Sequence, residues 1–133
     1  MAGLIECVPN FSEGRALEKI ARITDALTID PKVSILGCEP GAGANRTVVT
    51  MAGPPGPMVD AAFRGIQAAA DCIDMRQHQG AHQRIGATDV CPFIPLENSS
   101  MGDCVSLARE LGARVGDELG IAVFLYGAAT ETR

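Results

Sequence analysis

Short apolar runs alternate with one-faced helical stretches along this chain, and their order sharply limits how it can fold. Residues 3–9, GLIECVP, read as a strand, stopped by Pro9 and the turn-former Asn10. Leu17, Ile20, Ile23 and Leu27 recur at helical spacing, with Glu18, Lys19, Arg22 and Asp25 largely elsewhere around the cylinder. A second strand is predicted over 32–38. A third falls over 46–52, RTVVTMA, whose β-branched side chains suit a pleated surface. Between them lies the loop 39–45, EPGAGAN, where Gly41 and Gly43 permit unusual backbone angles or close backbone approach.

After the Gly-Pro-Pro-Gly-Pro punctuation at 53–57, Pro57 suits a helix's first turn. The helix that follows places Val59, Ala62, Phe63, Ile66, Ala70 and Ile73 on one face. Residues 88–96 resume as a strand, with Pro92 and Pro95 pointing to an edge or an irregular end. Ser100, followed by Asp103, is placed to cap a third helix with inner face Met101, Cys104, Ala108, Leu111, Val115 and Leu119. Residues 121–127, IAVFLYG, read as a closing strand. The first six elements run strand, helix, strand, strand, helix, strand, the split βαβ or ferredoxin-like order. The expected fold is therefore an α/β (α+β) two-layer sandwich. Its ferredoxin-like core carries an added helix and strand, with the helices on one face of a mixed or antiparallel sheet. The other face then needs solvent, a partner chain or a further domain.

Length and composition agree with one domain over 1–133. The chain is 47% hydrophobic and 20% charged, too apolar for a disordered segment. Its net charge of −5 offers no clustered Lys and Arg footprint for nucleic acid, although Arg76 and Arg84 lie close enough to make a local positive patch. No stretch approaches 18 uninterrupted apolar residues, and the first residues do not read as a secretory signal, so neither membrane nor export is expected. Five cysteines without a CxxC suggest a reducing, cytoplasmic setting; four lie in apolar patterns, where a thiol acts as a small buried hydrophobe.

Residues 74–86, DMRQHQGAHQRIG, break the apolar pattern. They hold both histidines, His78 and His82, together with Arg76 and Arg84. Polar loops are common, but imidazole is the side chain whose charge changes most readily near neutral pH. A metal site is disfavoured: Gly80 interrupts any helical pairing of the two histidines, and no third or fourth ligand stands at a recognised spacing. The glycines at 41–43 are not a phosphate loop, since no Gly-Lys-Ser/Thr follows, and they precede a strand rather than a helix.

The segments ECVPNFSEG (6–14), NRTVVT (45–50), IDMRQHQGAHQRIGATDVCPFIP (73–95) and VFLYGAA (123–129) together resemble the glutamate formimidoyltransferases. The match is to the amino-terminal subdomain, found also in formimidoyltransferase-cyclodeaminase, and runs over essentially the whole chain. The resemblance implies transfer of a formimino group from N-formimino-L-glutamate to N5 of tetrahydrofolate, a cosubstrate, with no metal. It implies His82 as the catalytic histidine. It places Asn10, Ser12, Glu39, Asn45, Arg46, Thr47, His78, Arg84 and Asp89 among the residues that bind substrate or folate or shape the cleft. It also implies a two-subdomain cleft of which this chain carries one half, the second transferase subdomain being absent. A homodimer, or a complementary subdomain or subunit, is then expected to complete it. The alternative is a non-catalytic folate-binding or structural subunit of the same family. Within the match, Ala81 and Gln83 flank His82 where the family usually carries Glu and Pro. Gly37 and Glu39 occupy a stretch where it usually shows two aspartates.

Overall fold

The computed structural model describes residues 3–73 and 87–121, Asp89 by its backbone only. Its elements are β1 (Ile5–Cys7), β2 (Asn10–Phe11), α1 (Leu17–Leu27), β3 (Ser34–Gly41), β4 (Arg46–Gly53), α2 (Pro55–Cys72), β5 (Thr88–Val90), β6 (Phe93–Pro95) and α3 (Met101–Arg114). A π-helical turn over Val115–Leu119 follows and stops at Gly120, whose φ is 66°.

All pairings among the described strands are antiparallel. Strand β4 pairs with β3 on one side and with both β1 and β2 on the other; β1 then pairs with β6, and β2 with β5. The sheet thus has four rows: β3, β4, β1 with β2, and β6 with β5. Numbered by position in the chain, their spatial order is four, one, three, two, which is the ferredoxin-like arrangement expected from the element order. The closing strand expected over 121–127 lies outside the described residues beyond Ile121.

The strand predicted over 88–96 is split into β5 and β6, and the row begun by the strand predicted over 3–9 resumes past Pro9 as β2, so Asn10 belongs to a strand rather than a turn. Pro9 separates β1 from β2, and Pro92 follows Cys91 in the gap between β5 and β6. Neither proline has an N–H to give a ladder, so each row breaks at the same level. The carbonyls at the breaks are still used: Val49 N–H donates to Pro9 O and Val8 N–H to Pro92 O, both at 3.1 Å. Strand β3 runs on to Gly41, three residues past the predicted end, so Glu39 belongs to a strand rather than a loop. Pro40 is tolerated because β3 is an outer row among the described residues.

Alternation on β4 is clean: Thr47, Val49, Met51 and Gly53 are buried, while Arg46, Val48, Thr50 and Ala52 are partly covered on the opposite face. Ile5, Cys7, Phe11, Val49, Met51 and Phe93 join one core with the helices. Helix α2 lies over β1, β4 and β5, with α1 beside it, and α3 packs on α2 and β6. The helix faces differ in detail from the pattern reading. Ala69, not Ala70, is buried, because it continues the 62, 66, 73 stripe at true helical pitch. Leu107 is buried whereas Met101 and Leu17, each the first residue of its helix, are 55% and 72% exposed. Of the cysteines, Cys7 and Cys104 are buried, Cys72 and Cys91 partly so, and Cys38 on the outer row is exposed.

Ser100 caps α3 as its sequence suggests. Its Oγ accepts from Asp103 N–H at 3.1 Å, and Asp103 Oδ2 accepts from Ser100 N–H at 3.0 Å. This reciprocal box satisfies donors that the first turn would otherwise leave open. Ser100→Ala is expected to lower stability by about 1 kcal/mol, read as a shifted urea midpoint with an unchanged slope.

Candidate functional site

Four polar residues are buried among the described residues: Ser12, Glu13, Asn45 and Thr47. Buried polar groups are costly unless paired. They meet where the chain leaving β2 for α1 crosses the β3–β4 turn. Asn45 Oδ1 accepts from Gly14 N–H at 2.8 Å, and Thr47 Oγ1 donates to Glu13 O. Glu13 Oε2 accepts from the N–H groups of Arg15 and Ala16 at 3.0 and 2.9 Å, with Lys19 Nζ 3.9 Å from the other oxygen. Arg15 Nε closes the corner by donating to Ala42 O at 2.8 Å.

The backbone explains the residue choice. Asn45 adopts a left-handed φ of 52°, which Asn tolerates better than most residues. The unusual angle of the EPGAGAN stretch therefore falls on its asparagine, since neither Gly41 nor Gly43 has a positive φ. Close approach instead involves Gly14, whose missing Cβ leaves room for Gly41 O and the backbone of Arg46. Asn45→Gly should keep the turn but lose the Gly14 bond, at about 1 kcal/mol. Asn45→Ala should cost about 1 kcal/mol more. Urea unfolding of the pair separates the bond from the backbone strain.

On the sheet face turned away from the helices, the register lines up a second set. Glu39 pairs with Val48, Val48 with Asn10, and Asn10 with Val90, so all four lie in one line across the rows. With rows about 4.8 Å apart, Glu39 and Asn10 flank Val48 at a separation of about 10 Å. Arg46 lies two residues from Val48 on the same face, opposite Gly41. Asn10 Nδ2 donates to Val8 O at 3.1 Å, fixing the side chain near its own strand break. Asp89 is the extra residue of a bulge, since Asn10 faces Val90 while Phe11 faces Thr88.

Sequence-selected residues thus fall into two groups among those described. Asn10, Glu39 and Arg46 share the open sheet face. Ser12, Asn45 and Thr47 are buried in the corner beside it. Ser12 also anchors the chain entering β5, because its N–H donates to Ala87 O at 2.8 Å. His78, His82 and Arg84 lie outside the described residues, as does the side chain of Asp89. Glu13, Gly14 and Arg15 were not selected from sequence, yet they organise the corner. The signal available was the Ser-Glu-Gly stretch ending just before a helix whose N-cap, Ala16, has no capping side chain. Among the described residues, no three His, Cys, Asp or Glu side chains gather to hold a metal.

Residues 4–133 match the family described as the formiminotransferase domain, N-terminal subdomain. The chain belongs to this family. A protein of Thermoplasma acidophilum named glutamate formimidoyltransferase is 52% identical over 128 residues, covering 96% of this chain and 42% of that protein. The rat protein named formimidoyltransferase-cyclodeaminase is 45% identical over 131 residues, covering 98% of the chain and 24% of the relative. A Streptococcus pyogenes glutamate formimidoyltransferase is 40% identical over 126 residues, with 95% and 42% covered. This formiminotransferase subdomain therefore spans less than half the length of each of these relatives. Its open sheet face carries Asn10, Glu39 and Arg46.

Proposed function

We propose that this chain supplies the amino-terminal half of a site that moves a formimino group from N-formimino-L-glutamate to N5 of tetrahydrofolate. The observation that supports this reading most is the family match over 4–133, with relatives named for formimidoyl transfer. N5 attacks the formimino carbon, and the tetrahedral intermediate expels the glutamate nitrogen. His82 removes a proton from the attacking amine and returns one to the departing amine. Arg46 or Arg84 takes a substrate carboxylate in its planar fork, with the carboxylate-bearing tail of folate using the other. Asn10, Glu39, His78 and Asp89 line the cleft, while Ser12, Asn45 and Thr47 hold its corner. No metal takes part.

The second half of the cleft comes from another copy of this chain or from a complementary subdomain, and the assembly works in the cytoplasm, on small molecules rather than on nucleic acid or membrane.

The deciding experiment follows formation of the folate product spectroscopically. The chain is assayed alone across a concentration series, and then with a separately produced second subdomain from a relative. Light scattering runs in parallel. Product that appears only with dimer or with added subdomain supports the proposal. Reduced folate bound by a complete assembly without turnover would favour the non-catalytic folate-binding subunit instead.

A further inference from the structure

The transfer chemistry leaves the cysteines unused, and two of them meet. Cys7 Sγ lies 3.5 Å from Cys91 Sγ, at the level where both neighbouring rows break. The contact is framed by backbone pairing. Cys7 faces Phe93 across β1 and β6, Val8 N–H donates to Pro92 O, and Asn10 faces Val90 across β2 and β5. Cys91 stands two residues before Phe93, the partner of Cys7, so the two cysteines are diagonal neighbours on one face; such neighbours lie about 7–8 Å apart in a regular ladder, and a disulfide draws the Cα atoms in to about 4.4–6.8 Å. Closing the bond asks the sulfurs to approach by about 1.5 Å. Prolines at both breaks leave those positions without full ladder bonding, so the movement falls where the backbone is least constrained.

The two thiols differ in access. Cys7 is fully buried, and burial, then its hydrogen bond with Cys91, pushes its thiol well above the usual range. Cys91 is only partly covered and follows directly on β5. Oxidants in water therefore reach Cys91 first, with Cys7 poised behind it.

We propose that Cys7 and Cys91 are a redox modification site that closes to a reversible intramolecular disulfide when the chain meets a hydroperoxide. Cys91 sulfur attacks the outer peroxide oxygen. The O–O bond breaks, an alcohol or water leaves, and Cys91 becomes a sulfenic acid. Cys7 sulfur then attacks the Cys91 sulfur. The S–O bond breaks, and the departing hydroxide takes the Cys7 proton and leaves as water. The cross-link ties the row carrying Asn10 to the row that follows Ala87. This inference is independent of the transfer reading.

Testing uses the full chain carrying Cys38→Ser, which removes the exposed competing thiol. After hydrogen peroxide treatment, free thiols are blocked with N-ethylmaleimide and peptides are mapped without reductant. The expected result is loss of both free thiols and one cross-linked species joining the Cys7 and Cys91 peptides. It should form at every protein concentration and revert with dithiothreitol. In a Cys7→Ala variant, dimedone should trap Cys91 as its sulfenic adduct. Both thiols still blocked by maleimide after peroxide would overturn the proposal. So would Cys91 advancing to the sulfinic acid with Cys7 free, or a bond from either to another cysteine. The mapping arm retains both cysteines, so its outcome does not depend on how the Cys7 variant folds.

Discussion

Gly14→Ala is expected to lower the unfolding free energy by about 3 kcal/mol or more. A Cβ at Gly14 would press on Gly41 O and would sit 2.6 and 2.7 Å from the backbone N and O of Arg46. All three are main-chain atoms, so no side-chain rotation relieves the clash; the β2–α1 chain and the β3–β4 turn must separate. Separation stretches Gly14 N–H to Asn45 Oδ1 and Thr47 Oγ1 to Glu13 O, which are the bonds that satisfy the buried polar groups. The cost is therefore overpacking plus exposure or loss of those bonds. Gly43→Ala provides the control, because nothing lies within 4 Å of its Cβ position. Gly65→Ala is intermediate: its nearest neighbour is the Leu27 side chain, which can adjust. Urea unfolding of the three variants checks the order, and a Gly14→Ala loss below about 1 kcal/mol would mean the corner is softer than its geometry implies.

The corner was only half legible in the sequence, for a physical reason. Strands and helices repeat along the chain, so α1, β4 and the capping box at Ser100 and Asp103 could be read from periodicity and cap chemistry. Register does not repeat in this way. That Glu39, Val48, Asn10 and Val90 form one line depends on how three separate segments slide against each other. Pro9 looked like a strand end, and 88–96 looked like one strand running through Pro92, because a proline's effect on a ladder depends on its neighbours. Only pairing shows that each row resumes beyond its break. Glu13 was missed because a glutamate before a helix looks solvated; its burial follows from Thr47 and Asn45, which are more than 30 residues away. The reach of β3 to Gly41 was hidden by Pro40, whose missing donor matters little on an outer row. Asn10, Asn45 and Thr47 came from family motifs rather than from periodicity, and the fold divides them between an open face and a buried corner.

The same division sets apart the effect expected at the transfer chemistry itself. With the chain in its complete assembly, His82→Asn should lower formimino transfer by about 10²- to 10⁴-fold, the usual contribution of a positioned acid–base group. Asparagine keeps a polar group of similar reach but has nothing that titrates near neutral pH, so proton removal from the attacking amine passes to water. Folding should be nearly unaffected, and reduced-folate binding should change little, since the role assigned is proton transfer rather than affinity. This is the opposite signature from Gly14→Ala, where stability falls first and activity follows it. A pH profile sharpens the distinction. The limb set by an imidazole should disappear in His82→Asn, whereas loss of binding alone would raise KM and leave the profile in place. Turnover near the wild-type level would remove His82 from the mechanism. The search for the proton acceptor would then turn to the other imidazole, at His78, and to the carboxylates of Glu39 and Asp89.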